Sequence, residues 1–172
     1  ENICEYIHLP VQSGNTEVLG RMNRGYSREW YLERTEAIRR IVPDCAISTD
    51  IITGFCGETD EEHQDTVDLM KEVQYEFAYM FKYSERPKTL AERRFKDDVP
   101  EDVKGKRLNE IIELQLASSL HWHKQQIGKV KKVLVEGKSK RSDEEWCGRD
   151  GRTISQLRAR RTGQGGCSWR RT

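Results

Sequence analysis

The protein has 172 residues, of which 35 % are hydrophobic and 34 % are charged, which suits one ordinary domain or parts of two. No apolar run approaches the roughly 18 residues that a membrane-spanning helix needs, so a membrane span is excluded at this level. The N-terminus lacks Met and the segments of a signal peptide, so we expect the chain to be cut from something longer.

The net charge of +1 hides a strong asymmetry along the chain. Residues 1–123 carry 16 Lys or Arg against 24 Asp or Glu, whereas residues 124–172 carry 14 against 5. A basic end on an acidic body is typical of an appendage that binds a polyanion. A basic tail that is merely solvated fits the same charges, so composition leaves both interpretations open.

The first 83 residues alternate between strand and helix patterns. We predict strands over residues 3–8, 45–52 and 77–83, and helices whose N-caps are Thr16, Ser27 and Thr59. Glu62 completes a capping box with Thr59. The alternation predicts a parallel sheet, which binds ligands at the carboxyl ends of its strands. The loops 9–14, 53–58 and 84–89 lie at those ends.

The second half of the chain changes character twice. Residues 84–99 form a charged connector, and Pro100 opens a helix that runs to about His123 with an apolar period of helical spacing. Gly128 stops the helix, a strand follows over 129–136, and a turn over 137–141 continues an all-β module. Residues 150–172 are rich in Arg and Gly and have no apolar period, so we predict that they are disordered.

Two of the loops offer polar groups at strand ends. The amide of Gln12 and the hydroxyl of Ser13 precede Gly14, which permits close approach of a ligand, although an ordinary strand-to-helix turn accounts for the same residues. Gly54 and Gly57 lie between a buried strand and a capped helix, where backbone donors can bind a carboxylate, a ribose or a phosphate.

Two further features have both a functional and a structural interpretation. Asp50 is a single acid in an apolar strand, so it needs either a polar neighbour in the sheet or a ligand. Residues 81–87 combine an aromatic strand end with Arg86, which suits adenine stacking and anion binding. Taken in isolation, residues 81–87 favour the structural interpretation, a core strand with a salt-bridged exit.

Metal ligands are not evident in the sequence. The five cysteines lie far apart, which argues against a compact zinc or iron–sulfur motif. Their odd number and the missing secretory signal indicate reduced thiols in the cytoplasm. The four histidines, which are His8, His63, His121 and His123, also lack metal-ligand spacing.

Three segments together resemble the radical-SAM tRNA methylthiotransferases. They are His8–Gly14 with Met22–Arg24, Thr49–Thr59, and Phe81–Pro87 with Thr89. The resemblance covers roughly residues 3–149 and implies an α/β fold, the C-terminal half of a partial (β/α) radical-SAM barrel over 1–99. A connecting helix over 100–126, a truncated all-β TRAM-like module over 127–149 and the disordered tail over 150–172 complete the expected organisation.

The resemblance also implies an activity, the addition of a methylthio group to isopentenyladenosine beside the tRNA anticodon. Its cofactors would be S-adenosylmethionine and two 4Fe-4S clusters, and its partner would be tRNA. The residues expected to line the S-adenosylmethionine side are Gln12, Ser13, Asp50, Gly54 and Glu58. The residues expected to hold RNA phosphates are Lys129, Lys131, Lys132, Lys138, Lys140 and Arg141.

The chain departs from the family pattern in three ways. The closely spaced cysteines of the radical cluster and the domain that holds the second cluster are absent, so we expect no catalytic residue here and no activity without the missing N-terminal part. Cys56 replaces the usual Pro, which loosens the glycine turn. The resemblance stops after Arg149, as a frameshift would produce. The alternative interpretation is a non-catalytic RNA-binding module.

Overall fold

The computed structural model describes residues 5–130, 132–139, 142–150, 157–161 and 167–171. The chain divides into two compact units, each described by itself below. One contains residues 8–43 and 47–127, and the other contains residues 5–7, 44–46 and the described residues from 128 onward. In the described part of the chain, no helix is long and apolar enough to cross a membrane.

The predicted alternation of strands and helices is confirmed. The elements are β1 (Tyr6–His8), α1 (Thr16–Arg21), α2 (Arg28–Ile41), β2 (Ala46–Thr53), α3 (Asp60–Val73), β3 (Phe77–Lys82), α4 (Leu90–Arg94) and α5 (Glu101–Lys124). The strands form one sheet in the order β1-β2-β3. Strands β2 and β3 are parallel, with Ser48 opposite Phe77 and Thr53 opposite Lys82.

The helix starts follow local capping chemistry. Ser27 caps α2, and Thr59 caps α3 in a complete capping box with Glu62, as predicted. The cap of α1 is Asn15 rather than Thr16, because the Asn15 side-chain oxygen accepts the backbone N–H groups of Glu17 and Val18 at 2.9 and 3.1 Å. Helix α4 lies within the segment predicted as a connector.

Among the described residues, helices cover one face of the three-stranded sheet. Ile47 and Ile51 of β2 pack in the core with Tyr31 of α2, Met70 of α3 and Ile111 of α5. Successive residues of a strand point to opposite faces. The other face, here called the open face, therefore carries His8, Asp50, Phe77, Tyr79 and Phe81, together with the buried Ser48. Parallel sheets are ordinarily covered on both faces.

Helix α5 is confirmed, but only part of its apolar period is buried: Ile111 lies in the core and Leu108 packs against it. Leu116 and Leu120 are 65 % and 54 % exposed. The buried residues are Lys104, Arg107, Ile111 and Gln115. The helix thus packs through a mainly polar stripe at helical spacing. The side chains of this stripe bind charged and carbonyl groups within the same unit.

The all-β module is a four-stranded antiparallel sheet. Its strands are β4 (Val133–Ser139), β5 (Ser142–Asp150), β6 (Leu157–Arg161) and β7 (Cys167–Arg171), in sequence order. Strand β4 starts later than predicted and contains Gly137–Ser139, which the sequence predicts to be part of a turn. The other two residues of that turn, Lys140 and Arg141, lie outside the described residues.

Part of the segment 150–172, which the sequence predicts to be disordered, is described in the structure as strand. Asp150 ends β5, and β6 and β7 add to the sheet, with Ala159 opposite both Trp146 and Trp169. A sheet edge offers a row of backbone donors and acceptors that pairs with a chain of almost any composition. Backbone pairing therefore orders a segment whose apolar content alone does not predict a strand.

Candidate functional site

The open face of the sheet carries a compact polar and aromatic cluster. His8 Nδ1 lies 2.8 Å from Ser48 Oγ, and His8 Nε2 lies 3.5 Å from a carboxylate oxygen of Asp50. The His8 ring meets the Tyr79 ring edge to face, with centroids 6.1 Å apart, and Tyr79 meets Phe77 likewise at 4.8 Å. Asp50 therefore has its neighbour in the sheet, as one interpretation expected, and its side chain is still 31 % exposed.

The loop that contains Gln12 and Ser13 is fixed from both sides. Gln12, in the left-handed region at φ +73°, donates its N–H to the Asp50 carbonyl and accepts the N–H of Ile52. Ser13 is fully buried, with its hydroxyl 3.4 Å from that of Thr66 in α3. The backbone of Gln12 thus extends the sheet, and the Ser13 side chain holds the loop to α3.

The N–H groups of Gly54 and Gly57, in the glycine loop after β2, donate to carboxylates of the same chain. Gly54 and Gly57 both lie at φ +71°, a conformation that favours glycine. Gly54 N–H donates to Glu58 Oε2 at 2.6 Å, and Gly57 N–H donates to Asp98 Oδ1 at 2.7 Å. From the sequence, these donors could bind a carboxylate, a ribose or a phosphate of a ligand; in the structure, carboxylates of the chain itself accept their hydrogen bonds.

Glu58 forms a buried ion pair with Arg107 of α5. Arg107 Nη1 donates to Glu58 Oε2 at 2.9 Å and to the Glu58 carbonyl at 3.0 Å, while Nη2 reaches Asp60 at 2.7 Å. Burial raises the pKa of the Glu58 carboxyl, and the Gly54 N–H and the Arg107 charge act against that rise. Arg107 lowers the pKa of Asp60, which is largely exposed.

The side chain of Cys56 is buried within the glycine loop. Its side chain is buried beside Val18 and Phe55, and Gly57 keeps its left-handed backbone. Phe55 meets Tyr83 edge to face at 4.9 Å. Burial raises the pKa of the Cys56 thiol, and burial is also the main cause that raises the pKa of Tyr83 to about 12.

An open depression of about 480 Å³ lies beside the glycine loop. Its lining combines the start of α3 with the segment that leads into α5. The residues that line it are Gly57–Glu61, Asp98, Val99, Pro100, Val103 and Arg107. Its charged lining is mostly acidic, with Arg107 as its cation, so it does not have the chemistry of an anion site.

Potential metal ligands do not gather in the described residues. No group of three or more His, Cys, Asp or Glu side chains there could hold a metal ion. Cys45, Cys56 and Cys147 are buried free thiols. The side chains of Cys4 and Cys167 lie outside the described part of the structure.

The basic residues assigned to RNA binding fall in the β-module and the segment before it. Lys129, Lys132 and Lys138 are exposed, and Lys138 lies in β4. Lys131, Lys140 and Arg141 lie outside the described residues. The three described lysines are accessible to a phosphate backbone.

Sequence reasoning missed His8, Ser48 and Tyr79 on the open face and Arg107 beneath the glycine loop. The period-2 spacing of Ser48 with Asp50, and of Tyr79 with Phe81, is a signal that could have found two of them. Arg107 gives no such signal, because an arginine in a charged helix ordinarily faces solvent.

Comparisons with known proteins agree with this α/β architecture. Residues 1–70 match the family model of the radical SAM superfamily. The structure is similar to that of coproporphyrinogen III oxidase from Escherichia coli, which is described as a radical SAM enzyme, with a TM-score of 0.57. The match covers 98 % of this chain and 45 % of the oxidase chain. At 17 % identity, that likeness shows the fold alone.

Curated relatives are much more similar in sequence. The tRNA-2-methylthio-N(6)-dimethylallyladenosine synthase of Amoebophilus asiaticus is 60 % identical over 151 residues, which is 87 % of this chain. The protein of the same name from Phocaeicola vulgatus is 57 % identical over 148 residues, or 86 % of the chain. The chain spans about a third of the length of these relatives, 31 % and 32 %. The chain therefore belongs to the radical-SAM tRNA methylthiotransferase family.

Proposed function

We propose that this chain is the C-terminal part of an enzyme that adds a methylthio group to N6-dimethylallyladenosine in tRNA. The observation that carries the proposal is the 60 % identity, over 87 % of the chain, to a relative whose name states that product. The motifs on which the family resemblance rests lie at the carboxyl ends of the strands, where α/β enzymes bind their ligands.

The open face of the sheet suits an adenosyl-amino acid ligand. Asp50 presents a partly exposed carboxylate that can accept a hydrogen bond from an amine or a ribose hydroxyl, and Tyr79 offers an exposed aromatic face. At the end of β2 and in the glycine loop that follows it, Thr53 Oγ1 and Glu58 Oε1 are buried without a hydrogen-bond partner in the described residues. These orphaned atoms fit a site that a bound molecule completes.

S-adenosylmethionine, when bound, supplies the adenosyl radical and the methyl group of this chemistry. We assign the residues of this chain two different tasks toward it. Asp50 contacts the cofactor directly. Gln12, Ser13, Gly54 and Glu58 hold the two loops that border it, since their own polar contacts run mainly to the protein.

The iron–sulfur clusters do not fit the described residues, because no cluster of metal-ligating side chains occurs among them. We assign the cluster ligands to another segment of the longer protein, which would also cover the open face of the sheet. The exposed lysines at positions 129, 132 and 138 would hold the phosphates of tRNA.

A chimera tests the proposal. This chain replaces the matching third of the Amoebophilus asiaticus relative, and the chimera is expressed in a bacterium that lacks its own methylthiotransferase. Mass spectrometry of tRNA nucleosides is expected to show the 2-methylthio form of dimethylallyladenosine. A soluble chimera that leaves only the unmodified nucleoside would overturn the proposal.

The matched control is the same chimera with Asp50→Asn, which should lose the product while keeping its solubility. Binding to an anticodon stem-loop, measured against salt concentration, separates the enzyme from the alternative RNA-binding module. A chimera that binds the stem-loop but forms no product favours the module.

A further inference from the structure

Helix α5 touches the glycine loop through two buried cations. The Arg107 guanidinium, 7 % exposed, binds the Glu58 carboxylate and the Glu58 carbonyl. The Lys104 side chain, 1 % exposed, lies so close to Gly54 that a Cβ at Gly54 would overlap Lys104 Cγ. The Lys104 ammonium is held by both carboxylate oxygens of Asp97 at 2.6 Å.

One oxygen atom links this helix to the turn. Glu58 Oε2 accepts both the Arg107 Nη1 proton and the Gly54 N–H. Gly54 follows β2 directly and holds a left-handed backbone at φ +71°. A bond from its N–H therefore fixes the direction in which the chain leaves the carboxyl end of the sheet.

The link depends on the charge of Glu58. Burial of this carboxylate favours its neutral form, whereas the guanidinium favours the anion. A neutral carboxyl is a weaker acceptor than a carboxylate. Without Arg107, the same burial would act against the hydrogen bond that holds Gly54.

We propose that Arg107 is a positioning residue, which keeps Glu58 in place as a carboxylate and thereby fixes the Gly54 turn at the edge of the ligand site. The effect on the ligand rests on the proposed function, since it requires that this loop borders S-adenosylmethionine. The effect on the turn stands on the contacts of the described residues alone.

Amide hydrogen exchange in the full 172-residue chain tests the effect on the turn. Arg107→Met is expected to speed exchange of the Gly54 N–H by about tenfold or more, as loss of a charged hydrogen-bond partner implies. The control is Lys106→Met on the same helix, because the Lys106 side chain is 78 % exposed. Unchanged protection at Gly54 in Arg107→Met would overturn the proposal.

A double variant separates charge from packing and guards against loss of the fold. Glu58→Gln combined with Arg107→Met leaves a neutral amide oxygen that can accept the Gly54 N–H without a buried charge. Its Gly54 protection is expected to exceed that of Arg107→Met alone, and Arg107→Lys is expected to retain part of the protection. A double variant as unprotected as Arg107→Met contradicts the proposed charge effect.

The ligand is tested separately, with S-adenosylhomocysteine and the chimera described above. Arg107→Met is expected to raise the Kd by about tenfold, in step with the loss of Gly54 protection. An equal Kd in both proteins, despite faster exchange at Gly54, overturns the link from the turn to the ligand. If the unsubstituted chimera forms no product, the proposed function is wrong instead. The role of Arg107 in the turn is then decided by amide hydrogen exchange at Gly54 alone.

Discussion

Gly14 lies against the backbone of α3, where a side chain would not fit. A Cβ there would come within 2.5 Å of the Thr66 Cα, and the Gly14 N–H donates to Thr66 Oγ1 at 2.9 Å. Arg28 also binds the Gly14 carbonyl at 3.0 Å. From the sequence, Gly14 is expected to let a ligand approach the backbone closely. In the structure, it is the backbone of α3 that lies close to Gly14.

Gly14→Ala should therefore destabilise the protein. The backbone of α3 would have to shift, and overpacking of this kind costs about 1–3 kcal/mol. Gly20→Ala is the matched control, because a Cβ at Gly20 in α1 meets nothing within 4 Å and alanine favours a helix. Urea unfolding of the two variants measures the difference, and equal midpoints would contradict the argument.

Among the secondary-structure elements, α5 shows how a helix can pack through polar side chains. Gln115 donates to the Tyr75 carbonyl at 3.0 Å, Ser119 to the Glu76 carbonyl at 2.9 Å, and Trp122 to the Gln74 carbonyl at 3.0 Å. These three carbonyls belong to the turn between α3 and β3. Helical spacing of the donors thus matches consecutive acceptors of a turn, which no apolar pattern reveals.

Gln115→Ala should lower the free energy of unfolding by about 1–3 kcal/mol, because it leaves the Tyr75 carbonyl without this donor. Leu116→Ala on the same helix should change it by less than about 0.5 kcal/mol, since Leu116 is mostly exposed. Thermal unfolding of both variants checks the contrast. A larger loss in Leu116→Ala would show that the apolar stripe is the stabilising face after all.

The ion pair between Arg21 and Glu62, in the first turn of α3, should make the stability of the protein depend on pH. Arg21 binds both oxygens of Glu62, at 2.9 and 2.7 Å, and this lowers the pKa of the Glu62 carboxyl below its ordinary 4.5. A carboxyl whose pKa is lowered on folding stabilises the protein above its unfolded pKa. That stability is lost as the pH falls through the lowered value.

Glu62→Gln keeps an oxygen for the capping box but removes the charge. The loss of stability between about pH 7 and about pH 3 should therefore be smaller in this variant than in the unchanged protein. Glu61→Gln is the control, because Glu61 is exposed in the same turn. Urea midpoints at both pH values provide the measurement. If Glu62→Gln loses as much stability between the two pH values as the unchanged protein does, the prediction is wrong.

At the scale of the molecule, the open face of the sheet groups exposed aromatic side chains of the described residues on one strand. Phe77, Tyr79 and Phe81 of β3 are 37–53 % exposed on a sheet whose other face is a helix-covered core. Exposed aromatic surface of this kind marks a face that another segment or partner covers. We therefore expect the chain by itself to be marginally stable and to bind hydrophobic dyes.

Phe81→Glu should reduce the fluorescence of bound anilinonaphthalene sulfonate and the tendency of the chain to aggregate. Trp30→Glu serves as the control, because Trp30 is also exposed, at 45 %, but lies on α2. Dye titration and light scattering measure both effects. A larger decrease in Trp30→Glu would show that the open face is not the principal apolar surface.

The sequence by itself determined the order of strands and helices, the caps at Ser27 and Thr59, and the family. Those features depend on local hydrogen bonds, on periodicity and on motifs that can be read within a few neighbouring residues. Only the tertiary structure decided that the glycine N–H groups bind Glu58 and Asp98, and that the Arg-rich end of the chain forms strands. It also decided that Arg107 pairs with Glu58 across 49 positions of sequence. Such contacts arise when packing brings distant segments together. Folding itself buries the Glu58 charge and creates the sheet edge, so their need for a partner does not exist in the unfolded chain.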